Sequence, residues 1–431
     1  MILSDQATKL CALMSVRDLR RLWYVPLLSV SLVLMLVRTL LLARLLNVNQ
    51  FADFGKGVLV SNTFTMLGCV GLQSVLQREL PIQFAKRRES AAHVLLAQCV
   101  IVATGCALLG EILALTGQTI AGVPSWLIAV GIVHGLSQQL FVVATVESRS
   151  RGDAVRFSVQ NFARSLAVLG GGAAVAIATR SAGWTLATEA GLGIVLAQFY
   201  LRTSWQRIKV SATGIYLLGM RRLRKLRWSA PLALLTVSVI GFLMVSADRW
   251  LAARTLSQRD FALYAFAGII PSVGQSLQFV MNSSVFPILA RRYALLGPVA
   301  TFRVCAMLSF TILSFGGLLA VPGVWIVNSA ISRWFSPYAS ARSLIPIFVL
   351  ISALRISDFW YTFLWVKGWE WRLLSVNILS ILIGGLGWLV WQWSSSMSGI
   401  GTFDIAMLAA ALALSAYVGS ALAAWYSVRL R

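Results

Sequence analysis

Four charged residues fall inside apolar stretches that are long enough to cross a bilayer: Arg38, Arg164, Arg355 and Asp358. A charge at the centre of a transmembrane helix costs about 2.5–3.5 kcal/mol on insertion scales, so such residues indicate a binding or transport pathway. Arginine keeps its charge and presents five N–H donors in a planar fork that suits phosphate groups. We therefore predict that these four residues contact a substrate, with the arginines directed at an anionic group.

Each of these charges also has a structural interpretation. Arg355 and Asp358 are three residues apart, share a helix face, and could neutralise each other between packed helices. Arg164 lies seven residues into its predicted helix, roughly 10 Å from the end, so its side chain could reach the lipid headgroups. Arg38 is near the outer end of the first helix, and the same alternative applies. The sequence alone leaves these alternatives open.

An internal repeat links two of the predicted helices. Ala43–Phe54 recurs as Ala253–Tyr264 at an offset of 210, with five of twelve residues identical. Such a repeat, set against equivalent apolar runs, indicates that half of the chain is duplicated. The offset aligns Arg38 with Asp248, which is followed by Arg249. We predict that these three charges contribute to an outer gate.

Other polar residues within the apolar runs favour hydrogen bonds between helices. They are His134, Gln138, Gln275, Gln278 and Asn282. A proton relay through His134 is the functional alternative. Glu111 and Glu189 fall near the predicted outer surface, and we assign neither of them a role.

Several chemistries lack the residues that they need. The sequence has no Walker-type glycine-rich loop, and its five cysteines form no Cys-x-x-Cys pair. No carboxylate pair or histidine cluster occupies a loop large enough to build an active site. We expect no enzyme activity, no catalytic residue, no cofactor, no metal site and no disulfide framework. The short outer loops also argue against an integral-membrane polysaccharide polymerase.

The composition predicts the transmembrane helices that carry these charged residues. Of the 431 residues, 58% are hydrophobic and 12% are charged, and apolar runs recur from end to end. We predict an all-α polytopic membrane protein whose first helix is retained rather than cleaved as a signal peptide. It should have about 12 transmembrane helices in two homologous six-helix bundles that form a parallel repeat. The predicted regions are the first bundle (1–203), a basic linker (204–228) and the second bundle (229–431).

The predicted helices follow the apolar runs. They cover about 22–42, 57–76, 91–116, 120–146, 157–178, 184–200, 229–247, 262–286, 303–327, 341–366, 371–393 and 404–426.

The charge distribution predicts the orientation. The chain has 37 basic and 14 acidic residues and a net charge of +23. Alternate connections carry 26 Lys and Arg residues on one side and 8 on the other. By the positive-inside rule, both termini and the linker are expected in the cytoplasm. No nucleic acid is needed to explain the charge, although the linker could also bind anionic headgroups of membrane lipids.

The start of the chain resembles a known transporter family. The leucine-rich end of the first helix, Leu40–Leu46, leads into Asn49–Phe54 and then Gly71–Glu79. This order is similar to that of polysaccharide flippases of the Wzx type, which belong to the multidrug/oligosaccharidyl-lipid/polysaccharide (MOP) exporter superfamily. Ala52 or Asp53 stands where the family has glycine. The resemblance covers about sixty residues and a shorter stretch after Ala253.

The resemblance implies a transporter that works by alternating access. Its implied substrate is an undecaprenyl-pyrophosphate-linked oligosaccharide, moved between the leaflets of the bacterial inner membrane for polysaccharide, O-antigen or lipopolysaccharide biosynthesis. A polysaccharide polymerase and a chain-length regulator are the further partners that it implies. A drug or small-molecule exporter with the MOP fold or another twelve-helix fold is the principal alternative.

Overall fold

The structure is a computed structural model that describes residues 24–207, 211–394 and 400–429. This part of the chain is almost entirely helical, which confirms the predicted all-α polytopic fold. Nine of its helices are long and apolar enough to cross a membrane, or up to ten when a bent pair is counted as one span. The basic residues before Trp23, and Lys209 of the predicted linker, lie outside the described residues.

Eight helices lie before Ser229 in the described chain. They are α1 (Tyr24–Leu45), α2 (Val48–Leu67), α3 (Leu72–Ala85), α4 (Glu89–Ala114), α5 (Ser125–Ser150), α6 (Ala154–Thr179), α7 (Ala182–Arg207) and α8 (Ala212–Leu223).

Seven further α-helices and one 3-10 segment follow. They are α9 (Ser229–Thr255), α10 (Gln258–Ala267), α11 (Ile269–Trp334), the 3-10 segment Ser336–Leu344, α12 (Ile345–Ile356), α13 (Phe359–Val366), α14 (Glu370–Ser394) and α15 (Thr402–Arg429).

The chain divides by packing into two compact units. Unit 1 takes the described residues up to Leu45, then Val60–Leu113 and Ala129–Leu234. Unit 2 takes Leu46–Leu59, Ala114–Ile128 and the residues from Leu235 onward. Two short segments of the first half of the sequence therefore belong to unit 2. The predicted bundles, 1–203 and 229–431, are defined by the duplication of the sequence and not by packing. That division stays a prediction.

The repeated stretch forms the same local structure in both copies. In each copy a long helix ends, two residues break it, and a polar side chain caps the next helix. Asn47 Oδ1 accepts from the Gln50 N–H at 2.8 Å, and Ser257 Oγ accepts from the Asp260 N–H at 3.2 Å. The helix that we predicted from residue 57 therefore begins at Val48, because Asn47 satisfies one of its first amides.

The second predicted helix is bent, which corrects the prediction of one span over 57–76. Val70 and Gly71 both have positive φ, at 47° and 79°, so the helix ends at Leu67 and restarts at Leu72. Left-handed backbone cannot continue a right-handed helix. The axes of α2 and α3 consequently differ by 55°, and α3 includes much of the predicted basic turn.

Two other predicted boundaries also change. The predicted connection between 286 and 303 is helical, and α11 is interrupted only at Gly297, whose φ of 76° breaks the helical backbone. The predicted continuous helix over 341–366 is instead the 3-10 segment, α12 and α13. Asp358 ends that continuity, because its carboxylate caps α13 by accepting from the Tyr361 N–H at 3.1 Å.

Candidate functional site

Unit 1 contains a cluster of ionisable side chains, contributed by four different helices, that we name the Glu189 cluster. Its members are Arg38 on α1, His134 on α5, Arg164 on α6 and Glu189 on α7. Glu189 is 1% exposed, His134 is 3% exposed and Arg38 is 6% exposed. Buried charges of this kind need partners, and the cluster supplies them from neighbouring helices.

Glu189 is the centre of the cluster. Arg38 Nε donates to Glu189 Oε1 at 2.7 Å. His134 Nε2 lies 3.4 Å from Glu189 Oε2, and His134 Nδ1 lies 2.8 Å from the hydroxyl oxygen of Ser61 on α2. One carboxylate thus connects α1 and α5 to α7, and His134 extends the network to α2.

The close approach of α6 and α7 depends on a glycine. A Cβ atom at Gly172 on α6 would lie 2.6 Å from Glu189 Oε1, which is shorter than any allowed contact. The small residue therefore lets the helices pack closely enough to hold the carboxylate against Arg38. Small residues at helix interfaces do this generally in membranes.

Arg164 differs from Arg38 in how it is held. Its guanidinium carbon lies 4.6 Å from the ring centroid of Phe141, which is a cation–π contact. Its buried Nε has no hydrogen-bond partner in the described structure. It interacts electrostatically with both Arg38 and Glu189. The cluster therefore places two arginines near one carboxylate, and Arg164 retains an unused Nε–H donor.

Unit 2 contains a second cluster, which we name the Asp248 cluster. The Tyr264 hydroxyl donates to Asp248 Oδ2 at 2.5 Å, and Arg249 Nη2 donates to the Ser272 hydroxyl at 3.2 Å. Arg355 interacts electrostatically with Asp248, Arg249 and Tyr264. Here too, two arginines lie in the electrostatic range of one carboxylate.

Asp358 does not neutralise Arg355. Its Oδ1 accepts from the Ser420 hydroxyl at 2.9 Å and from the Tyr361 backbone, and no ion pair joins these two described residues. The helix ends at Ile356, and Asp358 caps the following helix instead of continuing the one that carries Arg355. The structural interpretation of Arg355 as half of a local ion pair is therefore wrong.

The structure brings together some of the predicted residues and leaves others to be tested. Arg38 and Arg164 share the Glu189 cluster, whereas Arg249 and Arg355 share the Asp248 cluster. The predicted gate of Arg38, Asp248 and Arg249 stays a prediction, and Arg38 and Asp248 each have a partner within their own unit. Glu189 is not among the predicted site residues, although its position seven residues into α7 places it roughly 10 Å along the helix. That count is the signal that could have found it.

No metal centre is formed by the residues that the structure describes. Among them, no group of three or more His, Cys, Asp or Glu side chains is arranged to hold a metal ion.

Comparisons with known proteins identify the fold. No family model and no curated protein matches the sequence. The solved structures that match include the MATE multidrug transporter DinF-BH, determined with a ligand bound, at 14% identity and a TM-score of 0.58, covering 96% of each chain. The MATE transporter ClbM in complex with Rb⁺ matches at 14% identity and a TM-score of 0.54, over 96% of this chain and 94% of that chain.

A third match is an inward-facing multidrug resistance MATE family transporter of the MOP superfamily, at 11% identity and a TM-score of 0.54. It covers 92% of this chain and 94% of that chain. The chain has the MATE transporter fold. MATE structures of this kind have 12 transmembrane helices in two bundles. Because the three matches cover 92–96% of this chain, the fold extends over nearly the whole chain rather than one half.

Proposed function

We propose that this protein is a transporter of the MOP superfamily that flips an undecaprenyl-pyrophosphate-linked oligosaccharide. The direction is from the inner to the outer leaflet of the bacterial inner membrane, by alternating access. The observation that carries the proposal is that each unit places two arginines near one buried carboxylate, and only Arg38 forms an ion pair with it. Arginine that is incompletely neutralised within a membrane is costly, and a function that needs positive charge accounts for it.

The chemistry of the proposed substrate fits these residues. A pyrophosphate cannot cross hydrocarbon without compensation for its charge, and arginine offers it two parallel N–H donors. Arg164 has a buried Nε without a partner in the described structure, and Arg355 is not neutralised by Asp358. We assign the phosphate contacts to these two residues, while Arg38 is held by Glu189 and Asp358 is held by Ser420.

A drug exporter with the same fold is the second candidate. The matched structures include proteins described as multidrug transporters. Asp358 favours this candidate, because within the described chain its carboxylate has hydrogen-bond donors but no ion pair. A cationic drug could supply the missing counter charge.

One experiment separates the two candidates. The protein is expressed in a strain that lacks its own polysaccharide flippase and in a strain that lacks its drug exporters, at matched membrane abundance. We expect restored surface polysaccharide in the first strain and unchanged accumulation of the cationic dye ethidium in the second. Lowered ethidium accumulation without restored polysaccharide would replace the flippase proposal with the exporter.

A further inference from the structure

A lateral groove in unit 2 is distinct from both charged clusters. It has a volume of about 450 Å³ and lies between α11, α13 and α15. Its apolar lining includes Phe302, Phe310, Trp360, Ala421 and Trp425. Phe310 is 60% exposed and Trp425 is 45% exposed, so the groove opens on the side of the unit. Because α11 and α15 are long and apolar enough to cross a membrane, that side faces lipid.

Two polar atoms of the lining residues have no partner. The buried indole N–H of Trp360 and the buried hydroxyl of Tyr417 make no hydrogen bond in the described structure. Trp360 is itself only 4% exposed. Buried donors of this kind are normally satisfied. Both atoms are closed off from the groove, so the surface that an occupant touches is apolar, which suits a hydrocarbon chain.

Basic residues surround one end of the groove. The Arg429 guanidinium carbon lies 3.9 Å from the ring centroid of Trp425, a residue of the lining. Lys367 Nζ donates to the Ser427 carbonyl at 2.6 Å, which connects the end of α13 to the last turns of α15. Lys367 and Arg372 also contact the ring of Trp369, at 3.6 and 3.7 Å.

These basic residues favour an anionic headgroup. Lys367, Arg372 and Arg429 carry positive charge, and the sequence from 367 to 372 contains one acid, Glu370. A guanidinium over an indole face keeps its in-plane N–H donors available for phosphate oxygens. Tryptophan and basic residues together are also typical of the membrane interface, where the headgroups lie.

We propose that the groove is a binding site for an anionic phospholipid of the bilayer. One acyl chain occupies the groove along Phe310 and Ala421. The phosphate binds Arg372 and Arg429. This site is independent of the transported substrate, so it holds whether the protein is a flippase or an exporter.

The test measures lipid binding to the purified full-length protein in detergent. Dioleoyl phosphatidylglycerol is titrated while the thermal unfolding midpoint is recorded, with dioleoyl phosphatidylcholine as the neutral comparison. We expect phosphatidylglycerol to raise the midpoint of the wild type further than phosphatidylcholine does. Ala421→Phe, which fills the groove, should abolish that difference, whereas Ala174→Phe at an exposed position on α6 should retain it.

The basic residues are tested separately, since their replacement leaves the apolar packing intact. Native mass spectrometry should show that Arg372→Gln and Arg429→Gln each weaken phosphatidylglycerol binding roughly fivefold, which is the ratio given by about 1 kcal/mol per basic residue. Arg333→Gln on α11 is the control and should bind like the wild type. Equal binding by the wild type and both variants would overturn the proposal.

Displacement by undecaprenyl phosphate identifies a different occupant. If that carrier lipid removes bound phosphatidylglycerol at an equal concentration, the groove belongs to a polyprenyl chain and the phospholipid assignment is wrong. Failure to displace supports the assignment.

Discussion

At the scale of single residues, the partners of each intramembrane charge decide its role. Glu189 holds Arg38 at 2.7 Å, which makes Arg38 part of a buried ion pair. Removing one member of such a pair is strongly destabilising, at about 3–5 kcal/mol. Arg164 and Arg355 have no comparable carboxylate contact among the described residues. The substitutions that test transport without affecting folding are therefore those at Arg164 and Arg355.

Arg355→Ala should reduce transport at normal membrane abundance. Asp358 is held by Ser420 and Tyr361, so the substitution does not leave that carboxylate without partners. A hydrogen bond to a charged group contributes about 1.5–3 kcal/mol, which predicts a decrease in polysaccharide export of roughly tenfold or more. Arg355→Lys should retain part of the activity as a point charge.

The control for this prediction is Arg333→Ala, at an exposed position on α11. Export is measured by complementation of a flippase-deficient strain, alongside the amount of protein in the membrane. Normal export by Arg355→Ala at wild-type abundance would show that Arg355 does not contact the substrate.

At the scale of helices, the contact of α6 with α7 positions the Glu189 cluster. Gly172 is buried in that contact, and any side chain there would meet Glu189 Oε1. Gly170, two residues earlier on the same helix, has open space around its Cβ position. The two glycines therefore form a matched pair for substitution.

Gly172→Ala should destabilise the protein by about 2 kcal/mol, because overpacking forces Glu189 away from Arg38. Gly170→Ala should not lower the stability, and it could raise it by up to about 1 kcal/mol, because its Cβ meets open space and alanine favours the helix more than glycine does. Both effects are measured as unfolding free energies of the purified protein in detergent. If the two variants are equally stable, α6 and α7 accommodate the added methyl group without disturbing the Glu189 cluster.

At the scale of the whole molecule, the duplication bears on how the two copies of the repeat pack, and the charge asymmetry bears on the orientation in the membrane. The repeated corners after α1 and α9 belong to unit 2 and contact each other there. Gln258 Nε2 donates to Asp53 Oδ1 at 3.1 Å, and a Cβ at Gly55 would lie 3.2 Å from the Ala265 Cβ. The two copies of the repeat thus pack against one another as well as matching in sequence.

Reporter fusions test the predicted orientation. We expect a periplasmic signal after Gly117 and cytoplasmic signals after Trp228 and Arg431, because 26 basic residues lie on one predicted side and 8 on the other. The activities of a periplasmic and a cytoplasmic reporter are compared at each site. A periplasmic signal at Trp228 would contradict the prediction that each bundle has an even number of transmembrane helices.

A charge exchange tests the predicted gate. If Arg38 and Asp248 act together, the double variant Arg38→Asp/Asp248→Arg should transport more than either single reversal, which we expect to lower transport roughly tenfold. Arg38→Asp/Glu189→Arg is the control, since it exchanges the charges of an observed ion pair. If only the control recovers transport, Arg38 serves unit 1 alone and the gate hypothesis fails.

The sequence by itself determined the fold class, the repeat and the positions of the intramembrane arginines. Helices in a membrane must satisfy their own backbone, so apolar runs and charge asymmetry are sufficient to predict a polytopic helical protein. The repeat at an offset of 210 also became the same capped corner in both copies.

Only the tertiary structure decided which charges meet. The partner of Arg38 is Glu189, 151 positions away, and no local spacing encodes that contact. Asp358 accepts from Ser420, 62 positions later in the sequence, instead of pairing with Arg355. Helical periodicity describes neighbours on one helix, whereas a buried charge is neutralised by whichever helix packs against it, and packing is a property of the folded chain.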